Sequence, residues 1–179
     1  FFGNYENKDE SDLIKISELK DLLIVQVVQY KNSSISVENI DIAGLNLKSE
    51  TSLVSANKEI RILWFGPKNW LLISKNKDHL KTINSLFKES DFAITDLSNS
   101  RSIIEIEGKN SLEVLKKGCP FNFNELKKNN FLNSTFNGMT VTIDMLNDNT
   151  IKVRVCTLRS FGESLYHSIS DACLEFCYK

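Results

Sequence analysis

The segment IRILWFGPKNWLLIS, residues 60–74, decides the fold because it contains two apolar runs joined by a short turn. The runs, residues 60–65 and 70–74, are rich in the β-branched and aromatic residues that favour strands. Between them, Pro67 fixes its own φ, and Gly66 tolerates conformations that other residues avoid. The segment therefore predicts a β-hairpin.

Further strands and helices are predicted on both sides of this hairpin. Upstream, residues 22–30 (LLIVQVVQY) form a dense apolar run that is typical of a buried strand. Residues 33–44 have the apolar spacing of a short helix, whereas residues 48–58 are polar and predict a loop. Downstream, the pattern predicts a helix over residues 78–90 and strands over residues 92–97 and 102–107.

The C-terminal part of the chain predicts a second set of elements. A helix begins near Asn110, and we expect it to end at Gly118 in the left-handed conformation that closes many helices. Residues 119–137 have little periodicity and are interpreted as a long connection. Strands over residues 139–146 and 151–158 follow, and the capping pattern at residues 160–163 precedes an amphipathic C-terminal helix.

The order of these elements predicts the fold class. The first half reads strand, helix, two strands, helix, strand, and the second half repeats this order without a final strand. This order predicts an α+β fold with two ferredoxin-like lobes, each a split βαββαβ unit. We expect residues 1–12 to be poorly ordered and residues 13–179 to form a single domain, with lobes at about 13–98 and 99–179.

Composition excludes several classes of protein. The 179 residues are 41% hydrophobic and 25% charged, which is typical of a soluble globular domain. A net charge of −1 argues against a nucleic-acid partner, and no apolar run approaches the roughly 20 residues that span a membrane. The acidic start differs from a signal peptide, and the four cysteines are irregularly spaced. We therefore expect a reduced, cytoplasmic protein.

Common catalytic and cofactor motifs are missing from the sequence. The closest two of the seven glycines are ten residues apart, which excludes both a dinucleotide fingerprint and a P-loop. No Gly-x-Ser-x-Gly elbow of a serine hydrolase occurs. Cys119, Cys173 and Cys177 are interpreted as packing residues rather than as nucleophiles or zinc ligands. We predict no catalytic, cofactor-binding or metal-binding residue in this chain.

Three polar residues at predicted element ends are candidate anchors for a ligand or partner: Asp96, Arg101 and Arg159. The interpretation that we favour for Asp96 and Arg101 is a closed turn with an Asp–Arg pair. Arg159 precedes the predicted C-terminal helix, where a guanidinium can hold an anion or carboxylate. A salt bridge to a neighbouring acid is the interpretation that we favour for Arg159.

Aromatic residues supply a second set of candidates. Four phenylalanines lie in the predicted connection over residues 119–137. They either fold back onto the core, which we favour, or anchor a partner protein. The candidates for a partner interface are Trp64, Trp70, Phe121, Phe123 and Phe131.

Three blocks of sequence, in order, resemble the γ subunit of heterotetrameric sarcosine oxidases. LWFGPKNWLLI (residues 63–73) is similar to the family block "lwlGPdEWLL", and residues 95–123 resemble "vDlSdrr…l.G…..vLakGcplDl". LRSFGESL (residues 158–165) is similar to "vaRSFAeyl". Two acidic positions of the family pattern are amides here, at Asn69 and at Asn122 or Asn124.

The resemblance implies a fold related to the folate-binding domain of aminomethyltransferases. It also implies membership of a complex that oxidises the N-methyl group of sarcosine and releases hydrogen peroxide. The one-carbon unit then passes to tetrahydrofolate or leaves as formaldehyde. FAD, FMN, NAD and tetrahydrofolate are expected in the other subunits, with none bound by this chain.

A γ chain of that kind is a non-catalytic partner of the α, β and δ subunits that helps to enclose the complex. The alternative is a stand-alone domain that binds folate or another small molecule. An independent enzyme ranks last, because the sequence shows no acid–base pair for one.

Overall fold

The computed structural model describes residues 2–5 and 14–177, without the side chains of residues 2–5 and 177. The chain divides into two compact units. We call Asp21–Asn99 the central unit, and Phe1–Lys20 together with Ser100–Lys179 the split unit.

The elements follow one another in chain order. The described strands are β1 (Phe2–Tyr5), β2 (Ile14–Leu19), β3 (Leu23–Gln29), β4 (Asp41–Ile42), β5 (Leu45–Asn46), β6 (Val54–Ala56), β7 (Ile60–Gly66), β8 (Asn69–Ser74), β9 (Phe92–Asp96), β10 (Arg101–Glu107), β11 (Phe131–Phe136), β12 (Met139–Asn147) and β13 (Lys152–Leu158). The described α-helices are α1 (His79–Leu86), α2 (Ser111–Lys116) and α3 (Gly162–Cys177). Short 3-10 turns lie at Val37–Asn39, Phe123–Glu125 and Arg159–Phe161.

The central unit contains an antiparallel sheet with the strand order β6-β7-β8-β3-β9. Strands β3, β7, β8 and β9 have the order of a ferredoxin-like sheet, and β6 extends one edge. The hairpin of β7 and β8 is confirmed, with Lys68 in its turn at φ +59°. The helix predicted over residues 33–44 is wrong, because this stretch contains the short 3-10 turn Val37–Asn39 and the strand β4. The predicted loop over residues 48–58 contains β6.

One face of this sheet carries the core of the central unit. Val25, Val27 and Leu72 pack there with Ile83 of α1. Phe87 and Phe92 meet edge to face, with ring centroids 4.9 Å apart. Alternate positions along β3 supply this apolar face, and the buried strand predicted over residues 22–30 is confirmed as β3.

The split unit contains a second antiparallel sheet, with the strand order β1-β2-β10-β13-β12-β11. Strand β2 lies beside β10, in the place of the final strand that the second repeat lacks. Ile16 pairs opposite Ile106, and both are buried while Lys15 is exposed. The start of the chain thus completes the second ferredoxin-like sheet, and the α+β class is confirmed.

Some of the predicted segment boundaries differ from those in the structure. The predicted first lobe, about 13–98, differs from the central unit because β2 belongs to the split unit. In the N-terminal segment that was expected to be poorly ordered, residues 2–5 form β1, and the remaining positions lie outside the described residues. The predicted connection over residues 119–137 contains β11, which pairs with β12.

The prediction that Gly118 ends α2 in a left-handed conformation is wrong, because Gly118 does not have a positive φ. A Cβ at this position would lie 2.7 Å from Oδ1 of Asn137 and 2.9 Å from the ring of Phe136. The glycine is therefore needed for close packing against β11.

Candidate functional site

A pocket of about 190 Å³ lies in the split unit, near the end of β2 and the starts of β10 and α3. The residues that matter for its chemistry are Glu18, Ser102, Arg159, Gly162, Glu163 and Tyr166. Of these, the sequence had singled out Arg159 as a site residue. Gly162, Glu163 and Tyr166 follow Arg159 within seven residues, and the first two lie in the capping pattern that the sequence shows, although it does not mark them as site residues. Glu18 and Ser102 come from β2 and β10, which are distant in the chain, so no local motif marks them.

Arg159 pairs with Glu18 at this pocket. Its Nη1 donates to Oε1 of Glu18 at 3.0 Å, and the backbone N–H of Arg159 donates to the carbonyl of Ser100 at 2.9 Å. The Arg159 side chain is 56% exposed, whereas that of Glu18 is only 12% exposed. The salt bridge favoured from the sequence is therefore confirmed.

A glycine brings α3 close to β10 beside this pair. A Cβ at Gly162 would lie 2.9 Å from Oγ of Ser102. A larger residue would push the start of α3 away from the sheet. The predicted capping box differs from the structure here, because residues 159–161 form a 3-10 turn and α3 begins at Gly162.

Asp96 closes the turn that follows β9. The hydroxyl and the backbone N–H of Ser98 both donate to Oδ1 of Asp96, at 2.6 Å and 2.9 Å. These hydrogen bonds, that of the hydroxyl first, hold the pKa of Asp96 below its ordinary value. Oγ of Ser98 also accepts the backbone N–H of Ile24 at 3.0 Å. The carboxylate of Asp96 thus has a structural role within the central unit.

Arg101 lies at the start of β10 in the split unit, half-buried and opposite Leu158 of β13. Its positive charge acts on the nearby thiol of Cys156. Burial raises the pKa of Cys156 to about 11, and Arg101 opposes this effect while Asp144 adds to it. Arg101 is therefore placed beside a buried group of its own unit.

Three of the aromatic interface candidates are packed inside the chain. Trp70 and Phe123 are each 1% exposed, and Phe131 is 4% exposed. Nε1 of Trp70 donates to the carbonyl of Lys48 at 2.8 Å, which satisfies its polar atom. Because they are buried, these three residues offer a partner almost no surface. The sequence suggested them as interface residues because it cannot show which side of a strand or turn faces inward.

Trp64 and Phe121 stay candidates because each is half-buried. The buried Nε1 of Trp64 has no hydrogen-bond partner among the described residues. The ring of Phe121 meets that of Phe123 edge to face, with centroids 5.5 Å apart.

A serine, a histidine and a glutamate come together near the start of α1. Oγ of Ser74 lies 2.7 Å from Nδ1 of His79, and Nε2 of His79 lies 3.7 Å from Oε2 of Glu59. This set resembles a catalytic triad in residue types. Ser74 is only 1% exposed, and its Oγ also accepts the backbone N–H of Asn76 at 3.0 Å. The cluster fixes the start of α1 and is closed to a substrate.

The three cysteines whose side chains the structure describes lack the exposure of reactive residues. Cys119, Cys156 and Cys173 are all buried, and the thiol of Cys119 donates to Oγ of Ser134 at 3.2 Å. In the part of the chain that the structure describes, no group of three or more His, Cys, Asp and Glu side chains could hold a metal ion. Within the same residues, no helix is long and apolar enough to cross a membrane.

Sequence reasoning missed a charged cluster across β10 and β13. Glu105 accepts from Nζ of Lys152 at 2.8 Å and from Nε of Arg154 at 3.0 Å. Glu107 accepts from the same Lys152 at 3.0 Å. Burial raises the pKa of Glu105, but the hydrogen bonds from Lys152 and Arg154 outweigh burial and hold it below its ordinary value. The charges of the two acids and the two bases cancel, and all four side chains are paired with one another, which indicates a structural role for this cluster.

The pocket at the start of α3 is thus the candidate functional site. It brings together two carboxylates, Glu18 and Glu163, and one guanidinium, Arg159. Its volume of about 190 Å³ is below the roughly 300–1,000 Å³ of typical small-molecule sites. A single side chain fits this space better than a folate or a flavin.

Comparisons with known sequences identify one family. A sequence model of a protein family, with the description "Sarcosine oxidase, gamma subunit family", matches residues 32–175. The sarcosine oxidase subunit gamma of Corynebacterium sp. (strain U-96) is 28% identical over 118 residues. That match includes 64% of this chain and spans 57% of the length of the relative.

Two solved structures share the fold. One is the heterotetrameric sarcosine oxidase from Corynebacterium sp. U-96 in complex with pyrrole 2-carboxylate, with a TM-score of 0.85 and 21% identity, covering 96% of this chain and 89% of that chain. The other is the glycine cleavage system aminomethyltransferase T from Bartonella henselae, with a TM-score of 0.62 and 11% identity, covering 86% of this chain and 44% of that chain. The predicted relation to the aminomethyltransferase fold is therefore confirmed.

Proposed function

This chain belongs to the sarcosine oxidase gamma subunit family, and we propose that it is the γ subunit of a heterotetrameric sarcosine oxidase. The observation that carries the proposal is the family match over residues 32–175, which includes residues of both units. In this proposal the whole complex demethylates sarcosine to glycine and forms hydrogen peroxide. The methyl group leaves as formaldehyde or as methylene-tetrahydrofolate.

We assign this chain a role in assembly and in enclosing the complex, with α, β and δ subunits as partners. FAD, FMN, NAD and tetrahydrofolate then belong to those subunits. The site geometry supports this division because the polar groups with catalytic potential are engaged within the chain. Arg159 holds Glu18, Asp96 holds a turn, and Ser74 is buried against His79.

Co-expression tests the proposed function. The full chain is produced with the α, β and δ chains of the same organism, and the product is measured by gel filtration with light scattering. We expect one complex that contains all four chains in equal amounts and that consumes oxygen when sarcosine is added. A matched preparation without this chain should give a smaller or less stable assembly. A chain that stays monomeric beside its three candidate partners refutes the proposal.

A stand-alone small-molecule-binding domain is the second candidate, and the pocket at the start of α3 is the observation in its favour. The polar anchors would then be Arg159, Glu18 and Glu163, and folate is the ligand class to test first. Calorimetry with tetrahydrofolate on the full chain separates the two functions. A γ subunit without its own folate site gives no heat of binding, whereas a folate-binding domain gives a saturable one.

A further inference from the structure

Three backbone carbonyl groups of the central unit meet one lysine ammonium. Nζ of Lys68 donates to the carbonyl oxygens of Tyr30 and Lys31, each at 3.2 Å, and lies 3.5 Å from that of Ser33. Because all three oxygens approach the same nitrogen, they surround one point in space. We call these three oxygens the carbonyl site. An ammonium group has three N–H donors and no acceptor, so its donors match the three acceptors of this site.

The loop that supplies these carbonyls is held in shape around the site. The backbone N–H of Ser33 donates to the carbonyl of Tyr30 at 3.2 Å, which closes a turn. Nε2 of Gln29, a residue that is only 7% exposed, donates to the carbonyl of Ile35 at 2.7 Å and to Oγ of Ser33 at 3.2 Å. Gln29 therefore fixes the far end of the loop, and Lys68 fixes the near end.

The backbone of Lys68 places its side chain for this contact. Lys68 lies in the turn between β7 and β8 with a φ of +59°, a left-handed conformation that a lysine seldom adopts. Its carbonyl accepts the backbone N–H of Gln29 at 2.8 Å, so the side chain starts from a fixed position beside β3. The contacts of the ammonium with the carbonyl site offset the cost of this backbone conformation.

We propose that the carbonyl site is a binding site for a primary ammonium cation, which Lys68 fills from within the chain. Backbone carbonyl oxygens can bind monovalent cations without help from an acidic side chain. Filling the site orders the loop after β3, on which Tyr30 and Ile35 are each 40% exposed. This inference goes beyond the proposed function, because the site lies within the central unit and needs no partner.

Hydrogen exchange of the full chain tests whether Lys68 orders the loop. Lys68→Met keeps the length of the side chain and removes its charge and its donors. We expect the backbone amides of Ser33 and Ile35 to exchange about tenfold faster in this variant than in the wild type. The control is Lys77→Met, which removes an exposed lysine 3.5 Å from Asp21 and should leave the loop unchanged. Unchanged exchange in β10 and β13 checks that each variant is folded.

Added cations test whether the carbonyls form a binding site. Lys68→Ala opens the site, and methylammonium chloride supplies a primary ammonium that can enter it. We expect methylammonium to restore slow exchange of the loop as its concentration rises. Tetramethylammonium chloride at the same concentration has no N–H donor and should not do so. If the two salts act alike, or if Lys68→Met exchanges as slowly as Lys77→Met, the cation site is overturned while the proposed function stands.

Discussion

Gly118 shows how a single residue can be required by packing rather than by backbone conformation. A Cβ at this position would meet the ring of Phe136 at 2.9 Å, and Phe136 is fully buried. We therefore expect Gly118→Ala to lower the free energy of unfolding by about 1–3 kcal/mol through overpacking. Urea denaturation followed by circular dichroism measures this change.

A second substitution tests the cause of this loss. Phe136→Leu leaves space beside position 118, so Gly118→Ala should cost less in the Phe136→Leu background than in the wild type. The difference is the coupling free energy of a double-mutant cycle. Equal costs in the two backgrounds would show that the ring is not the obstacle.

Cys156 is a second position where the environment of one side chain sets its chemistry. Burial raises the pKa of its thiol to about 11, so about one thousandth of it is ionised at pH 8. We expect iodoacetamide to label Cys156 at least about 100-fold more slowly in the native chain than in the urea-unfolded chain, because only the thiolate reacts. Mass spectrometry of the peptides measures labelling at this cysteine separately from the others.

The matched reference for this experiment is Ser160→Cys, which places a thiol on an exposed position four residues away. It should be labelled quickly in the native chain. Native labelling of Cys156 at the rate of this exposed reference would contradict the burial that the structure shows.

At the scale of elements, β2 pairs with β10 and contributes buried residues to the core of the split unit. Ile16 is 2% exposed and packs in the core of that unit, opposite Ile106. We expect Ile16→Ala to lower the free energy of unfolding by about 2–5 kcal/mol, because it leaves a cavity beneath the sheet. The neighbouring exposed Lys15→Ala should change it by less than about 0.5 kcal/mol. Denaturation curves of the two variants measure these changes in the free energy of unfolding. If Ile16→Ala lowers it as little as Lys15→Ala does, β2 contributes little to the stability of the split unit.

The charged cluster of β10 and β13 predicts a pH dependence. The pKa of Glu105 is below its ordinary value in the folded chain. A lowered carboxyl pKa contributes stability above the unfolded pKa, and this stability is lost as the pH falls through the folded pKa. We expect the free energy of unfolding of the wild type to fall between about pH 5 and pH 3, and Glu105→Gln to make this fall shallower.

Glu105→Gln should also cost about 1–3 kcal/mol at pH 7, because Arg154 and Lys152 lose a charged partner. The control is Glu89→Gln, an exposed acid of the central unit. It should leave both the stability at pH 7 and the slope with pH unchanged. A Glu105→Gln chain with the wild-type slope would mean that other groups cause the acid sensitivity.

The sequence predicts most elements well where local periodicity carries the signal. The hairpin of β7 and β8, the alternation in β10 and the apolar stripe of α3 are all visible in windows of a few residues. Strand β2 beside β10 is not visible in this way, because its pairing joins residues more than eighty positions apart. Strand β6 has only three residues, and β11 has polar residues between its buried ends, so neither gives a clear period.

At the scale of the whole molecule, the candidate site was harder to predict than the fold. The sequence marked Arg159 through its position before a helix, but Glu18 is 141 residues away in the chain. The aromatic candidates Trp70 and Phe123 were misleading because residue type does not show on which side of an element a side chain lies. Family motifs compensated for this, since three ordered blocks indicate a relationship without any geometry.

Partner binding should raise the stability of the whole chain. A partner that binds only the folded form adds RT ln(1 + [L]/Kd), about 2.7 kcal/mol at a partner concentration 100 times Kd. We expect amide hydrogen exchange that requires global unfolding, as in β10 and β13, to slow about 100-fold in the assembled complex. Mass-spectrometric exchange on the full chain, alone and with the α, β and δ chains, measures this.

Two controls separate specific binding from other causes. Serum albumin at the same mass concentration corrects for crowding, which should change stability by at most about 1 kcal/mol. Millimolar tetrahydrofolate should leave exchange unchanged, because a γ subunit without its own folate site gains nothing from the ligand. Slower exchange with tetrahydrofolate but not with the three subunits would reverse the assignment in favour of a folate-binding domain. The pocket at the start of α3 would then need a volume in the folate-bound state larger than the about 190 Å³ that it has in this structure.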